Sequence, residues 1–216
     1  MALIRYTDVP SFGDTWPFVD DPRLLQVFDR LRVACSGSLI QDVVRTDITK
    51  GSQTLFYKGN AYNYLSVAAE PVPIINTDGS PGKTSEQREL PFSSVEARNF
   101  AYVLLAGRIG LAWWAILGDD FHLTKGILEG MPGNYTGGTS QLRKVAARWA
   151  PRVAAAQEKE TVWKLNKGKK IGNWNLAACR DITDQADLSV LNEIGCTIEE
   201  IEAVWTFYHR VYMAGS

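Results

Sequence analysis

The longest apolar pattern in the chain runs from Ser93 to Lys125 and predicts a buried core helix. Ser93 precedes Glu96 by three positions, the S-x-x-E spacing in which a hydroxyl and a carboxylate satisfy the free amides of a helix start. About seven turns of mostly apolar residues follow. Gly118 can end the helix, and the polar run 119–125 comes next. We therefore expect a core helix that delivers a polar loop to the surface.

A membrane span is the first alternative for this stretch, and Arg108 argues against it. A charge in the middle of a span costs roughly 2.5–3.5 kcal/mol or more, and the apolar pieces on either side are too short to span alone. We expect no membrane partner.

Before this helix the pattern predicts an arm, a short helix and a small sheet. Residues 1–20 are rich in proline, aspartate and aromatic residues and are expected to form an extended arm. A helix fits 21–34, with a proline in its first turn and apolar residues on one face. Residues 53–75 alternate as two β-prone segments broken by Lys58-Gly59-Asn60, which predicts a hairpin turn. A polar loop at 76–87 and a returning strand at 88–92 complete this part.

The remainder is predicted to be mainly helical. Residues 130–138 form a turn region, 139–160 a helix, and a second T-x-x-E start opens a terminal amphipathic helix at Thr197. On the helix 139–160, three cations recur at i, i+4 and i+8 and so share one face: Lys144, Arg148 and Arg152. This face is either simply solvated or, alternatively, a phosphate contact. The expected class is α+β: a short mixed or antiparallel sheet with a hairpin packed on a long buried helix (21–130), followed by a helical C-terminal part (131–216) of the same module.

The segment 161–175 is the most basic run in the chain. Its lysines surround a glycine, with Trp163 and Trp174 on either side. Cations beside aromatic and amide side chains suit phosphate contact and base-edge contact together. The lysines concerned are Lys164, Lys167, Lys169 and Lys170.

Composition restricts this interpretation. The 216 residues are 45% hydrophobic, enough for a real core, and 23 lysines and arginines face 24 acids, for a net charge of -1. A self-sufficient nucleic-acid binder is usually strongly basic. Three scattered cysteines and two histidines predict no zinc site and favour reduced thiols. The first residues lack the pattern of an export signal, so we expect a cytoplasmic protein.

Catalytic motifs are absent. The sequence holds no G-x-G-x-x-G after a strand, no Walker loop, no H-E-x-x-H and no G-x-S-x-G. His122 follows Asp119 and Asp120, which permits a general-base or metal-binding role. One histidine beside two acids is not a ligand set of known spacing, and a loop fixed by its own hydrogen bonds is the alternative.

Several short motifs, in order, resemble the C-terminal target-recognition region of adenine-N6 DNA methyltransferases from restriction–modification systems of the Eco57I type and related fused restriction enzymes. The resemblance covers roughly residues 50–210. Its matches lie in the predicted hairpin, the polar loop, the core helix, the loop after it, the basic run and the last helix: Gly59, Asn60, Tyr62, Tyr64, Thr84, Ser85, Arg88, Leu104, Leu105, Arg108, Trp113, Trp114, Gly118, Asp119, Phe121, His122, Leu123, Thr124, Lys125, Lys169, Gly172, Asn173, Trp174, Asn175, Thr197, Glu199 and Glu200.

The family's catalytic half is not recognisable here. It carries a glycine-rich S-adenosylmethionine motif and an (N/D/S)-P-P-(Y/F) motif that holds the flipped adenine, whereas this sequence contains no P-P pair. The resemblance implies a DNA-recognition module without its own cofactor, acting on double-stranded DNA with a separate methyltransferase subunit that binds S-adenosylmethionine. It implies DNA contact by Lys58, Asn60, Tyr62, Lys83, Thr84, Ser85, Arg88, His122, Thr124, Lys125, Lys167, Lys169, Lys170, Asn173 and Asn175.

Two other classes stay open. A protein-interaction subunit would use Trp113, Trp114 or Trp205 as anchors for a partner and would not touch DNA. An enzyme active alone would have to bind S-adenosylmethionine itself.

Overall fold

The computed structural model describes residues 21–45, 53–61, 63–84, 86–117 and 122–212, with side chains described up to residue 207. The predicted arm at 1–20 lies outside these residues. Seven α-helices and six strands occur in this part of the chain, in the order α1 Pro22–Ala34, β1 Gln53–Lys58, β2 Val67–Ala68, β3 Ile74–Ile75, β4 Gln87–Phe92, α2 Val95–Leu105, α3 Arg108–Leu117, α4 Lys125–Glu129, α5 Ser140–Lys159, β5 Thr161–Asn166, β6 Lys169–Trp174, α6 Arg180–Glu193 and α7 Ile198–Tyr212.

The predicted α+β class is confirmed. The strands form two small antiparallel sheets, ordered β2-β1-β4 and β3-β6-β5, and helices dominate the C-terminal part. In the first sheet, β1 pairs along its whole length with β4, from Gln53↔Phe92 to Lys58↔Gln87. Most residues of this sheet that face α2 are buried, including Leu55 and Leu90. The second sheet is built on the β5–β6 pair and is largely exposed.

The predicted single core helix is wrong in one respect: it is two helices. α2 and α3 are bent by 73° at Ala106-Gly107. A Cβ at Gly110 would lie 2.5 Å from the carbonyl oxygen of Leu105, so glycine is needed where the chain folds back on itself. No single helix among the described residues meets the length and hydropathy of a membrane span; only α2 and α3 taken together do, and they form this bent pair.

The bend is fixed by an aspartate from another helix. Asp187 of α6 accepts a hydrogen bond from the backbone N–H of Arg108 at 2.6 Å, so it acts as an N-cap supplied in tertiary contact. The Arg108 guanidinium forms a bidentate pair with Asp184 at 2.7 and 2.8 Å. A Cβ at Gly107 would collide with the Asp187 carboxylate. The charge inside the apolar run is thus held by α6.

The start of α2 is one residue later than predicted. Ser94, not Ser93, is the N-cap, and its hydroxyl accepts from Ala97 N at 3.1 Å. Ser93 instead donates its backbone N–H to the carbonyl of Val43 at 2.9 Å. Ser93 and Ser94 are both candidate caps, and the tertiary hydrogen bond of Ser93 leaves Ser94 as the N-cap.

Burial of the tryptophans is confirmed, and their indoles position the next loop. Trp113 and Trp114 are each 1% exposed. Trp113 donates to the carbonyl of Ile127 at 2.8 Å, and Trp114 donates to the carbonyl of His122 at 2.9 Å. Because both donors are on α3, the core helix fixes the segment 122–127.

The first and last helices of the described chain, α1 and α7, form as predicted and pack against each other. α1 begins at Pro22 after the N-cap Asp21, and the T-x-x-E start of α7 forms a capping box in which Glu200 accepts from Thr197 N at 2.7 Å. Arg30 of α1 donates to Glu200 of α7 at 3.0 Å, so this ion pair joins the two helices.

The predicted hairpin is present, but its connection is longer than the expected turn at Lys58-Gly59-Asn60. β1 does pair with β2, through Phe56↔Ala68 and Tyr57↔Val67, but the residues between them form a longer loop. The two-residue hairpin turn lies elsewhere, at Lys167-Gly168, where φ is +47° and +80°. Positive φ at both central residues is the type I′ pattern that matches the strand twist.

Candidate nucleic-acid interface

The loop after β1 lies against the segment that follows α3. Asn60 and His122 form an isolated antiparallel bridge, and Leu123 N donates to the carbonyl of Gly59 at 2.9 Å. The side chains of Asn60 and His122 are both exposed. Two predicted site residues that are far apart in sequence are therefore neighbours.

Arg88 joins this pair from β4. It lies opposite Tyr57 in the β1–β4 register, and a Cβ at Gly59 would be 3.0 Å from its Cζ. Burial raises the pKa of Tyr57, and the positive charges of Arg88 and Lys125 oppose that rise. Arg88 and Lys125 thus lie near Tyr57, together with Glu129, whose negative charge adds to the rise.

Lys58 connects the two sheets. Its Nζ donates to Oδ1 of Asn173 on β6 at 3.0 Å. Both residues are predicted DNA contacts, and this bond places the end of β1 beside the second sheet. The first sheet and the β5–β6 hairpin are therefore linked at this point.

We call β3, β5 and β6 with the Lys167-Gly168 turn the ribbon. Residues 161–175 contain four lysines and no acid, and all four lysines are exposed. A Cβ on Gly168 would collide with Cγ2 of Thr77, so the 76–84 loop touches the turn of the ribbon. In that loop the pKa of Asp78 is lowered, first by hydrogen bonds from Ser80 and to a smaller extent by the charge of Lys169.

The 76–84 loop borders a groove beside the first sheet. The groove has a volume of about 480 Å³ and is lined in part by Phe56, Ile74, Lys83, Thr84 and Glu89. The Lys83 side chain is exposed. Thr84 accepts from Glu86 N at 3.2 Å, which fixes the local turn.

Three predicted contacts also have structural roles. Thr124 is the N-cap of α4, where its hydroxyl accepts from Ile127 N at 3.3 Å. Lys125 forms an ion pair with Glu129 at 3.2 Å. The carbonyl of Asn175 accepts from Ala178 N at 3.1 Å in the turn before α6.

Several predicted positions lie outside the described residues: Tyr62, Ser85, Gly118, Asp119, Asp120 and Phe121. The proposed metal or general-base role of His122 depends on two of them. Within the described ranges, no group of three histidine, cysteine, aspartate or glutamate side chains could hold a metal ion.

The ribbon strands are the main feature that sequence reasoning missed. The signal was present as N-K-G-K at 166–169, a two-residue turn between β-prone segments, and it adds Asn166 to the exposed polar residues at the tip. The alternative cationic stripe on α5 is exposed, but Arg148 and Arg152 each lie 5.2 Å from the ring of Trp149.

Comparison of the chain with protein-family models, with curated proteins and with solved structures finds no match.

Proposed function

We propose that the chain is a DNA sequence-recognition module of the kind found in restriction–modification adenine-N6 DNA methyltransferases, acting with a separate catalytic subunit. One observation carries the proposal. Predicted contacts from four separate segments are joined through the Asn60–His122 bridge, the Lys58–Asn173 hydrogen bond and the Gly168–Thr77 contact. The joined segments contain more lysines and arginines than acids.

The chemistry of these segments suits a duplex. The lysines of the ribbon would neutralise phosphates, which gives affinity without sequence preference. Asn60, Arg88 and His122 would reach base edges, where a good bidentate contact gives about 1–3 kcal/mol of discrimination. A two-stranded antiparallel ribbon is also one of the shapes that the major groove admits.

The net charge of -1 favours DNA binding that is shared between this chain and a second subunit. Only one of the joined segments is strongly basic, so we expect weak DNA binding by the chain alone, with a steep dependence on salt. A catalytic subunit carrying S-adenosylmethionine would supply further phosphate contacts and the methyl transfer. We expect this assembly to act in the cytoplasm.

The test is titration of a short duplex at two salt concentrations. Replacing Lys167, Lys169 and Lys170 together by glutamate should abolish measurable binding, and neutralising the three should reduce the salt slope by about 3 if each contacts a phosphate. The matched control is the same triple charge reversal on α5 at Lys144, Arg148 and Arg152. Equal loss from both triple variants would indicate a general charge effect and contradict the proposal.

The burial of two of its three predicted anchors counts against the protein-interaction alternative. Trp113 and Trp114 are buried and bonded to carbonyls of the same chain, and Trp205 is partly covered, with Arg108 over its ring at 5.3 Å. The alternative of an enzyme active alone is tested by calorimetry with S-adenosylmethionine. Binding to the isolated chain would favour it.

A further inference from the structure

The ribbon has two faces of different chemistry. Residues opposite each other in an antiparallel pair share a face, so the register assigns each side chain to one of the two. The face that contains Asn173, and so continues to Lys58, also carries Lys164, Asn166 and Lys169, together with Ile74, Ile171 and Val162, which is 46% exposed. The opposite face carries Ile75, Trp163, Leu165, Lys170, Gly172 and Trp174.

This second face, which we call the back face, exposes large apolar side chains. Leu165 is 74% exposed, Trp163 is 49% exposed and Ile75 is 37% exposed. The residue opposite Trp163 is Gly172, which has no side chain to cover an indole. Contiguous exposed apolar residues of this kind mark interaction sites more often than isolated ones do.

A pocket continues the back face towards the body of the molecule. It has a volume of about 320 Å³, and its walls include apolar residues from the β2–β3 segment and α5 together with two residues of the ribbon: Ala68, Pro71, Pro73, Ala154, Thr161 and Trp174. Since Thr161 and Trp174 are on the back face, pocket and exposed residues lie along one side of the ribbon.

β5 is also an edge strand. It is the last strand in the order β3-β6-β5, and within the described chain no further backbone hydrogen bond reaches 162–166. An exposed apolar edge is a ready template for an added strand, and natural proteins rarely leave one uncovered. Main-chain hydrogen bonds to such an edge are a common mode of segment recognition.

We propose that the outer edge of β5, with the back face and its pocket, is the docking site for an extended segment of the catalytic subunit. The inference rests on the proposed function for the identity of that subunit. The segment would alternate apolar residues, which meet Trp163 and Leu165 on the back face, with acidic residues, which would lie beside Lys164 at the border of the other face. Glu70 and Glu158 on the pocket lining favour a cationic residue at the other end. DNA would occupy the opposite face.

The test uses the full chain and a capped peptide, Glu-Val-Glu-Leu-Thr-Lys-Thr, whose lysine shares the face of its apolar residues, with its reversed sequence for the other strand direction. Binding is followed by tryptophan fluorescence and by amide exchange of β5. We expect one of the two to bind and to protect the β5 amides, and alternate N-methylation of its backbone to abolish binding. Leu165→Lys should weaken peptide binding by at least about tenfold. The matched control is Val33→Lys, at a residue 71% exposed on α1, which should have no effect.

The same variants separate this proposal from the proposed function. Leu165→Lys removes an apolar group and adds a cation, so duplex binding should be unchanged or tighter. Loss of duplex binding in this variant alone would assign the back face to DNA and overturn the proposal. Failure of both peptides to bind, or protection that survives N-methylation, would also overturn it. So would a dimer of the free chain that Leu165→Lys dissociates. If the double variant Lys167→Glu, Lys169→Glu, which leaves Lys170 of the back face in place, keeps its duplex affinity while peptide binding holds, the DNA function fails and the docking edge stands.

Discussion

The two sheets of this protein are both three-stranded and antiparallel, yet they differ in what holds them. The first is covered by α2, and its Leu55, Tyr57 and Leu90 are at most 2% exposed. In the ribbon every residue of β5 except Thr161 is exposed. The first sheet is therefore stabilised by apolar burial, whereas the ribbon depends on its turn, on backbone pairing and on a few contacts with the 73–77 segment. Strands that bury little are free to bind a partner.

The largest expected effect comes from making the same substitution in both sheets. Leu55→Ala removes a side chain that is 0% exposed and should lower the free energy of unfolding by about 2–5 kcal/mol. Leu165→Ala, at a residue 74% exposed, should change it by less than about 0.5 kcal/mol. Chemical denaturation of both variants measures the difference. Similar losses would mean that the ribbon has a buried core of its own.

The second prediction concerns the pH dependence of stability, which we expect to come from Asp187 of α6 and not from the ribbon. Burial raises the pKa of Asp187 to about 8; the Arg108 N–H and guanidinium oppose the rise, and Asp184 adds to it. The folded chain then holds a proton that the unfolded chain has released, so stability falls as pH rises from about 4 to about 8.

Asp187→Asn should flatten this slope, because an amide oxygen can still accept from the Arg108 N–H but does not titrate. The measurement is the free energy of unfolding across that pH range. The control is Asp181→Asn, an exposed residue of the same helix, which should keep the wild-type slope. An unchanged slope in Asp187→Asn would assign the pH dependence to another group.

The sequence was sufficient wherever one local signal decided the structure. The amphipathic pattern predicted α1 and α5, and the T-x-x-E box predicted the start of α7. It failed where tertiary contacts decide. No local sequence pattern indicates that Asp187 caps α3 from another helix, or that the carbonyl of Val43 accepts a hydrogen bond from Ser93 N. Both contacts join residues brought together only by packing.

The candidate site divides in the same way. The resemblance implied contacts at Lys58, Asn60, His122 and Asn173 separately, and the structure joins them in pairs. The hairpin signals at 58–60 and 166–169 are similar in composition. Residues 58–60 lie in a long loop, because β1 pairs along its full length with β4. Residues 166–169 form the tight turn between β5 and β6.

The third prediction sharpens the comparison at the turn of the ribbon. Gly168→Ala carries both the penalty of positive φ and a collision with Thr77, and should destabilise β5–β6 pairing by more than about 1 kcal/mol. Gly79→Ala is the matched control, since its φ of +84° is similar but no atom lies within 4 Å of an added Cβ. Amide exchange of β5 reports the local effect. Combining Gly168→Ala with Thr77→Ser should restore part of the loss, and no restoration would remove the contact from the explanation.

The smallest expected effect is at the hydrogen bond between Lys58 and Asn173, which joins the two sheets. Lys58→Met keeps the aliphatic stem but removes the donor to Asn173, and a partly buried hydrogen bond of this kind contributes about 0.5–1.5 kcal/mol. Because the bond ends on β6, the loss should appear as faster exchange in the ribbon, with the first sheet unchanged. Lys125→Met is the matched control: it breaks only a partly exposed ion pair with Glu129 on α4 and should leave the ribbon as it is. Equal acceleration in both sheets would instead indicate that the ribbon and the body unfold together.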